Sequence, residues 1–197
     1  MDEAKSRQLL QSILTTLVPF DEQELGSALP HFKFNEHAPK AHIFRCQDIV
    51  SDVYFLISGV GRYYYIDAQG KEFNKSLVKH GGAFTSIGSL IERQPSPFYA
   101  QALSTCITAS IPYERLLGLA RANLNWSEYV RKVYEQLALK KEKREAGLLL
   151  LSAQQRYQQF LDDFGDQAQH IALNQVAMYL GITDVSLSRI RNKMGLT

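Results

Sequence analysis

The last segment of the chain carries side chains that could read the edges of base pairs. Four of them follow a helical spacing that puts them on one face of a predicted helix, and they are Asp184, Val185, Ser188 and Arg189. Arginine can donate two parallel hydrogen bonds to guanine, aspartate can accept one from a cytosine amine, and valine can contact a thymine methyl. The sequence therefore predicts a base-reading face with Arg189 as its main reader.

A second group of polar residues is suited to holding phosphates, which fix the register of a protein on a duplex without reading its sequence. Its members are Asn174, Thr183, Ser186 and Lys193. The net charge of the chain is only +2, but basic residues concentrate in this last stretch. We therefore expect double-stranded DNA as the partner, bound through a local basic face.

Two short helices, separated at Gly181, must position both groups. Ala177 is small where the second helix has to cross, and Gly181 can adopt the left-handed conformation that ends the first helix. Thr183 is a good N-cap for the second helix, whose Leu187 and Ile190 would pack inward. These offsets predict a helix-turn-helix. An ordinary helical hairpin with a solvated basic face is the alternative.

The middle of the chain, residues 31–112, changes to short runs of β-branched and aromatic residues separated by turn formers. The clearest hairpin spans residues 60–78 around the turn Asp-Ala-Gln-Gly at 67–70. Regular short strands of this kind predict an antiparallel β-roll, a cupin-like double-stranded barrel with flanking helices. Its aromatic residues could line a ligand pocket, but ordinary core packing would produce the same alternation.

Residues 125–151 are the longest helical candidate. Apolar residues there step by four, three and four positions, and they are Trp126, Val130, Val133 and Leu137. This spacing is typical of a coiled-coil seam and predicts a dimerisation helix, which basic residues at Lys140, Lys141 and Arg144 would loosen in its middle. The alternative is a helix packed on its own β-domain.

Two segments resemble the catabolite activator and fumarate-nitrate regulator (Crp/Fnr) family. Residues 53–61, Val-Tyr-Phe-Leu-Ile-Ser-Gly-Val-Gly, resemble its strand-and-glycine signature, and residues 171–194 are similar to its helix-turn-helix. The resemblance implies an α+β chain with a cyclic-nucleotide-binding-type sensor domain at 1–124, a dimerisation helix at 125–151 and a DNA-binding domain at 152–197. It implies a homodimeric transcription regulator on a two-fold operator, for which a contact with RNA polymerase is a further expectation.

The resemblance fails at the phosphate-binding cassette, which would fall at residues 82–102. The family pattern has a glutamate where this chain has Ser86, and an arginine-serine pair where it has Ser96-Pro97. A phosphate buried without a guanidinium would keep an unpaired charge, which is costly. We therefore expect no tight binding of cyclic AMP and assign no cofactor. Another ligand could still contact the degenerate cassette, at Phe84, Ser86, Ser96 and Tyr99.

Other function classes find little support in the sequence. No grouping of acid, base and nucleophile indicates an enzyme, and Cys46, Cys106 and five scattered histidines fit no metal-ligand spacing. No apolar run is long enough to cross a bilayer, so we expect a cytoplasmic protein without a membrane partner.

The sequence stops soon after the second helix of the motif, which predicts that the wing hairpin of many relatives is truncated. Phosphate contacts would then come from helices alone, and DNA affinity would depend more on dimerisation. The competing hypothesis is a ligand-sensing or protein-interaction module whose helical tail does not bind DNA.

Overall fold

The computed structural model describes residues 2–196, in which two N-terminal helices are followed by a strand-rich region and then by further helices. The helices are α1 (Glu3–Thr15), α2 (Glu22–Ala28), α3 (Ile87–Glu92), α4 (Tyr113–Ala122), α5 (Leu124–Leu150), α6 (Ala153–Phe164), α7 (Leu173–Leu180) and α8 (Asp184–Lys193). The strands are β1 (Lys33–His37), β2 (His42–Phe44), β3 (Asp52–Ser58), β4 (Gly61–Ile66), β5 (Glu72–Val78), β6 (Ala83–Phe84), β7 (Tyr99–Ala102) and β8 (Cys106–Pro112).

The strands pair into two four-stranded antiparallel sheets, ordered β1-β8-β3-β6 and β2-β7-β4-β5. The predicted hairpin is present as β4 and β5, and the predicted α+β class with an antiparallel β-roll is confirmed. The hairpin contains a β-bulge, because Tyr63 lies opposite Ser76 while Tyr64 lies opposite Asn74. Lys75 is therefore the extra residue of the bulge.

Two glycines explain why residues 53–61 carry a glycine signature. Gly59 has a φ of +88°, in the left-handed region that favours glycine. A Cβ on Gly61 would lie 2.6 Å from the Phe84 ring and 2.7 Å from the carbonyl oxygen of Gln101. The signature therefore marks a tight turn and a close approach of strands.

Three apolar clusters hold the structure together. One fills the space between the sheets and includes Phe44, Phe84 and Phe98. A second packs helices α1, α2, α4 and α5 on the β1-β8-β3-β6 sheet. The third joins α6, α7 and α8 to Val60 and Leu77 of the roll. The helical tail is thus packed against the roll of its own chain.

The first half of the long helix α5 does not form the predicted coiled-coil seam. Trp126 is buried in the chain's own core, and Val130 and Val133 pack against that core. For this half of the helix the alternative, packing on its own β-domain, is what the structure shows. Lys140 and Arg144, predicted to loosen a pairing of two helices, instead donate hydrogen bonds to backbone carbonyls of the roll.

Smaller differences concern segments with weak periodicity. No sequence pattern predicts β6 or α3, and α1 ends at Thr15, whereas the helical spacing of its apolar residues predicts an end at Val18, just before Pro19. Aspartate and serine are preferred N-caps, so the sequence predicts helix starts at Asp21 and Ser152, and both caps are present, each in a capping box. Among residues 2–196 no helix is long and apolar enough to span a bilayer.

Candidate nucleic-acid interface

The turn between α7 and α8 is built from backbone hydrogen bonds. Gly181 has a φ of +71° and ends α7 in the left-handed conformation. The N–H of Ile182 donates to the carbonyl of Ala177 at 3.0 Å, and that of Gly181 donates to the carbonyl of Met178 at 3.3 Å. This pair of bonds is a Schellman motif, which satisfies carbonyls that a helix end would otherwise leave free. The residue types predicted this turn correctly.

Helix α8 begins at the predicted cap, since the hydroxyl of Thr183 accepts the Ser186 N–H at 3.2 Å. Leu187 is 1% exposed and packs with Val176, Ala177 and Leu180 of α7, whereas Val185 is 61% exposed. The apolar face of α8 is therefore turned inward, as its spacing predicts.

The predicted base readers share the solvent face of α8. Asp184, Val185, Ser188 and Arg189 are all exposed. Of the predicted phosphate contacts, Asn174 is exposed near the start of α7 and Lys193 is exposed near the end of α8. The hydroxyls of Thr183 and Ser186 are hydrogen-bonded to each other at 2.9 Å. The structure thus leaves all four predicted base readers exposed to solvent on α8.

Arg191 is a half-buried arginine whose guanidinium is hydrogen-bonded within the helical region, although it is one of the basic residues of the last stretch. Its guanidinium donates to the hydroxyl of the buried Tyr157 on α6 at 2.7 Å and to the carbonyl oxygen of Leu196 at 2.5 Å. It follows Leu187 by four residues, and this spacing is the signal that could have placed it on the inward face. The basic surface therefore rests on Arg189 and Lys193.

The degenerate cassette is only partly assembled as predicted. Phe84, Ser86 and Ser96 are buried, and the hydroxyl of Ser96 donates to the carbonyl of Phe98 at 2.9 Å. Tyr99 does not join them, because its ring stacks on the Tyr64 ring, at 4.9 Å between centroids, beside the half-buried His42. Tyr99 alternates with the inward Phe98 and Ala100, so strand geometry turns it away from the roll interior.

Aromatic side chains fill the roll interior near the cassette. The Tyr63 ring meets the rings of Phe84 and Phe98 edge to face, at 5.3 and 5.4 Å between centroids. Burial raises the pKa of the Tyr63 hydroxyl, which donates to the carbonyl oxygens of Ala83 and Thr85. For these rings the structure shows ordinary core packing.

No sequence pattern singles out Lys75 as a functional residue. The bulge in β5 places its ammonium 3.4 Å from the centroid of the Phe98 ring and 5.7 Å from those of Tyr63 and Tyr65. Burial, and secondarily the charge of Lys141, lower the pKa of Lys75 to about 8. A bulge leaves no local signal, so the position of this cation depends on strand pairing.

Metal chemistry has no assembled donor set in residues 2–196, where no three histidine, cysteine, aspartate or glutamate side chains cluster. Cys46 and Cys106 are both free thiols.

Comparison with known proteins matches residues 34–123 to the family described as Cyclic nucleotide-binding domain. No curated protein sequence matches the chain. The c-di-GMP responsive global regulator CLP of Xanthomonas campestris superposes with a TM-score of 0.68 at 19% identity, over 89% of this chain and 92% of that one. FixK2 of Bradyrhizobium japonicum gives 0.69 at 18% identity, over 83% and 84% of the two chains.

The catabolite activator protein of Thermus thermophilus superposes with a TM-score of 0.55 at 20% identity, over 89% of this chain and 84% of that one. These identities are low, so the likeness concerns the fold. The predicted resemblance is confirmed at that level: residues 34–123 match the cyclic nucleotide-binding domain family, and the chain has the overall fold of the solved Crp/Fnr regulators.

Proposed function

We propose that this chain is a sequence-specific DNA-binding transcription regulator of the Crp/Fnr type. The observation that carries the proposal is the two-faced packing of α8, whose Leu187 is buried while Arg189 is exposed. A major groove accepts one α-helix, and the exposed face offers a guanidinium, a carboxylate and a methyl surface to base edges. The solved regulators that share this fold support the same function.

Each exposed residue has a role in this proposal. Arg189 reads a guanine through its two parallel N–H donors, Asp184 accepts from a cytosine amine, and Val185 contacts a thymine methyl. Ser188 adds a hydroxyl to the same surface. Phosphates are held by residues around this surface, namely Asn174, Thr183, Ser186 and Lys193.

The proposed regulator is a homodimer that pairs through the second half of α5. Leu139 is 53% exposed and Leu149 is 76% exposed, and Glu142 and Ala146 lie exposed between them at steps of three and four residues. This spacing describes one stripe along a helix, and a second copy of the stripe would cover both leucines. A two-fold dimer would then place two recognition helices about 34 Å apart, in successive major grooves.

The proposed regulator does not respond to cyclic AMP. Ser86 and Ser96 are buried where the family pattern has a glutamate and an arginine, and the neighbouring rings of Tyr63, Phe84 and Phe98 are packed together. A cyclic phosphate would have to displace these rings and would gain no guanidinium. Any effector of this roll would have a different chemistry.

Selection of bound sequences from a pool of genomic fragments tests the proposal. We expect a palindromic site with half-sites about ten base pairs apart, and a logarithm of affinity that falls linearly with the logarithm of salt concentration. A protein-interaction module with a helical tail would enrich no site. Recovery of no common sequence would therefore contradict the proposal and favour that alternative.

A further inference from the structure

A buried polar cluster joins the roll to the first helix of the helix-turn-helix. Arg62 of β4 is 4% exposed, and its guanidinium donates to the side-chain oxygen of Gln175 on α7 at 3.0 Å. The side-chain amide of Asn74 on β5 donates to the same oxygen and to the Gln175 backbone carbonyl, both at 3.0 Å. The docking of α7 on the roll is therefore hydrogen-bonded as well as apolar.

The charge of Arg62 is compensated within this cluster. Its Nη2 lies 2.6 Å from a carboxylate oxygen of Glu72, and its Nε and Nη2 donate to the side-chain oxygen of Gln101 at 3.0 and 2.8 Å. The guanidinium also lies 3.9 Å above the centroid of the Tyr64 ring. Because a buried charge is stable only when paired and hydrogen-bonded, the cluster holds Arg62 in one geometry.

Helix α5 reinforces the same joint from a second direction. Lys140 donates to the carbonyl of Leu77 at 3.0 Å, and Arg144 donates to the carbonyls of Tyr179 on α7 at 3.0 Å and of Asn74 at 3.3 Å. The helix proposed to carry the dimer contact thus also holds α7. The orientation of α8 relative to a dimer axis would be set at this junction.

The docking leaves the recognition surface free. Arg62 and Asn74 contact α7, whereas Asp184, Val185 and Arg189 of α8 remain exposed. A contact that masked DNA would have to cover that surface. These contacts therefore orient the helix-turn-helix without covering its exposed face.

We propose that Arg62 is a positioning residue that locks α7 onto the roll and fixes the orientation in which α8 meets DNA. The locking itself is independent of DNA, while the orienting role rests on the function proposed above. The guanidinium is required because its fork reaches Gln175, Gln101 and Glu72 at once, which the single ammonium of a lysine cannot do.

The test is hydrogen exchange of the full chain without DNA, for Arg62→Met, Gln175→Leu and the control Arg7→Met. Arg7 is an exposed arginine paired with Glu3 on α1, away from the joint. We expect amide exchange in α6, α7 and α8 to accelerate roughly tenfold to a hundredfold in the first two variants, since each loses charged hydrogen bonds. Exchange in β3 and β8, and throughout Arg7→Met, should stay as in the parent.

Unchanged exchange in α7 of both joint variants would overturn the lock, and so would equal acceleration in β3 and β8. If Arg62→Met folds poorly, Gln175→Leu still tests the lock, because it removes only the side-chain acceptor on α7 and keeps Arg62 in place. The orienting role is tested by binding to a selected site, where Arg62→Met should weaken affinity about tenfold at an unchanged salt slope. Unaltered affinity would overturn that role. A parent chain that binds no DNA would refute the proposed function and leave the exchange result standing.

Discussion

The helix-turn-helix and the degenerate cassette are both predicted from short sequence patterns, but only the first is assembled as its pattern predicts. In the motif, Gly181, Thr183 and Leu187 do what their residue types favour. In the cassette, Ser86 and Ser96 are buried among packed rings while Tyr99 faces outward. The motif is fixed by contacts between residues close in the chain, whereas the cassette depends on the pairing of distant strands.

This difference shows which kind of site can be evaluated from sequence alone. A local motif can be evaluated from propensities and spacing, because each requirement acts within about two helical turns. A site between strands depends on register, and a one-residue shift reverses which side chains face inward. We therefore propose that the exposed face of α8 reads DNA and that the cassette does not bind cyclic AMP.

The largest effect should come from emptying the core of the motif. Leu187→Ala should lower the free energy of unfolding by about 2–5 kcal/mol, because it removes buried apolar atoms and leaves a cavity between α7 and α8. The matched control on the same helix is Val185→Ala, which should change it by less than about 0.5 kcal/mol. Denaturant unfolding followed by circular dichroism measures both. A larger loss for Val185→Ala would mean that the two faces of α8 are reversed.

A smaller effect is expected at the proposed dimer contact on α5. Leu149→Glu should weaken self-association about tenfold, since it would put a charge where an exposed leucine packs against the second copy. Leu124→Glu is the control, because Leu124 is 88% exposed at the other end of the same helix. Sedimentation equilibrium compares the two. Equal association of both variants would place the dimer contact elsewhere.

A modest dependence of stability on pH should come from Lys75, the lysine beside the cassette. The folded pKa of Lys75, about 8, lies below its ordinary value, so the unfolded chain binds more protons between pH 8 and about 10.5. Burying the charged form of Lys75 destabilises the fold, and this penalty is fully present below pH 8. The penalty is relieved as the pH rises through the window, so stability increases.

Thermal unfolding across that window measures the effect of Lys75→Met. The variant should unfold at a higher temperature than the parent at pH 7 and should lose the rise above pH 8. Lys71→Met is the control, because Lys71 is exposed next to the Phe73 ring on the same hairpin. A parent-like pH profile in Lys75→Met would assign the rise to another group.

No effect at all is expected from cyclic AMP. Calorimetry with the purified chain should show no binding at micromolar concentration, because the cassette has no guanidinium for the phosphate and its rings are packed. Micromolar binding would show that the cassette opens to admit the nucleotide. The cassette would then be a working site, as the helix-turn-helix is proposed to be.

Much of the fold follows from the sequence, for reasons visible in particular residues. Asp21 and Ser152 cap helices as predicted, and the hairpin turn at residues 67–70 lies where glycine and aspartate indicate it. These features arise from local hydrogen bonding. The domain limits at 124 and 151 remain predictions, since α5 contacts both the roll and α7.

The parts that could not be predicted depend on long-range contacts. Apolar spacing on α5 is the same whether Trp126 packs on a partner or on its own roll, so periodicity alone could not choose. The bulge at Lys75 and the Arg62 cluster each join residues that lie far apart in the sequence or across strands. Nothing in the local sequence of Arg62 distinguishes it from a solvated arginine.

The most direct test of DNA reading by α8 compares the affinities of the parent and of Arg189→Ala for a selected operator and for the same operator with one G·C pair replaced. The parent should prefer the intact site by about 1–3 kcal/mol, and the variant should lose that preference. Lys193→Ala is the control and should weaken both sites equally, lowering the salt slope by about one. If Arg189→Ala binds and discriminates as the parent does, α8 does not read DNA through this residue, and the account is contradicted.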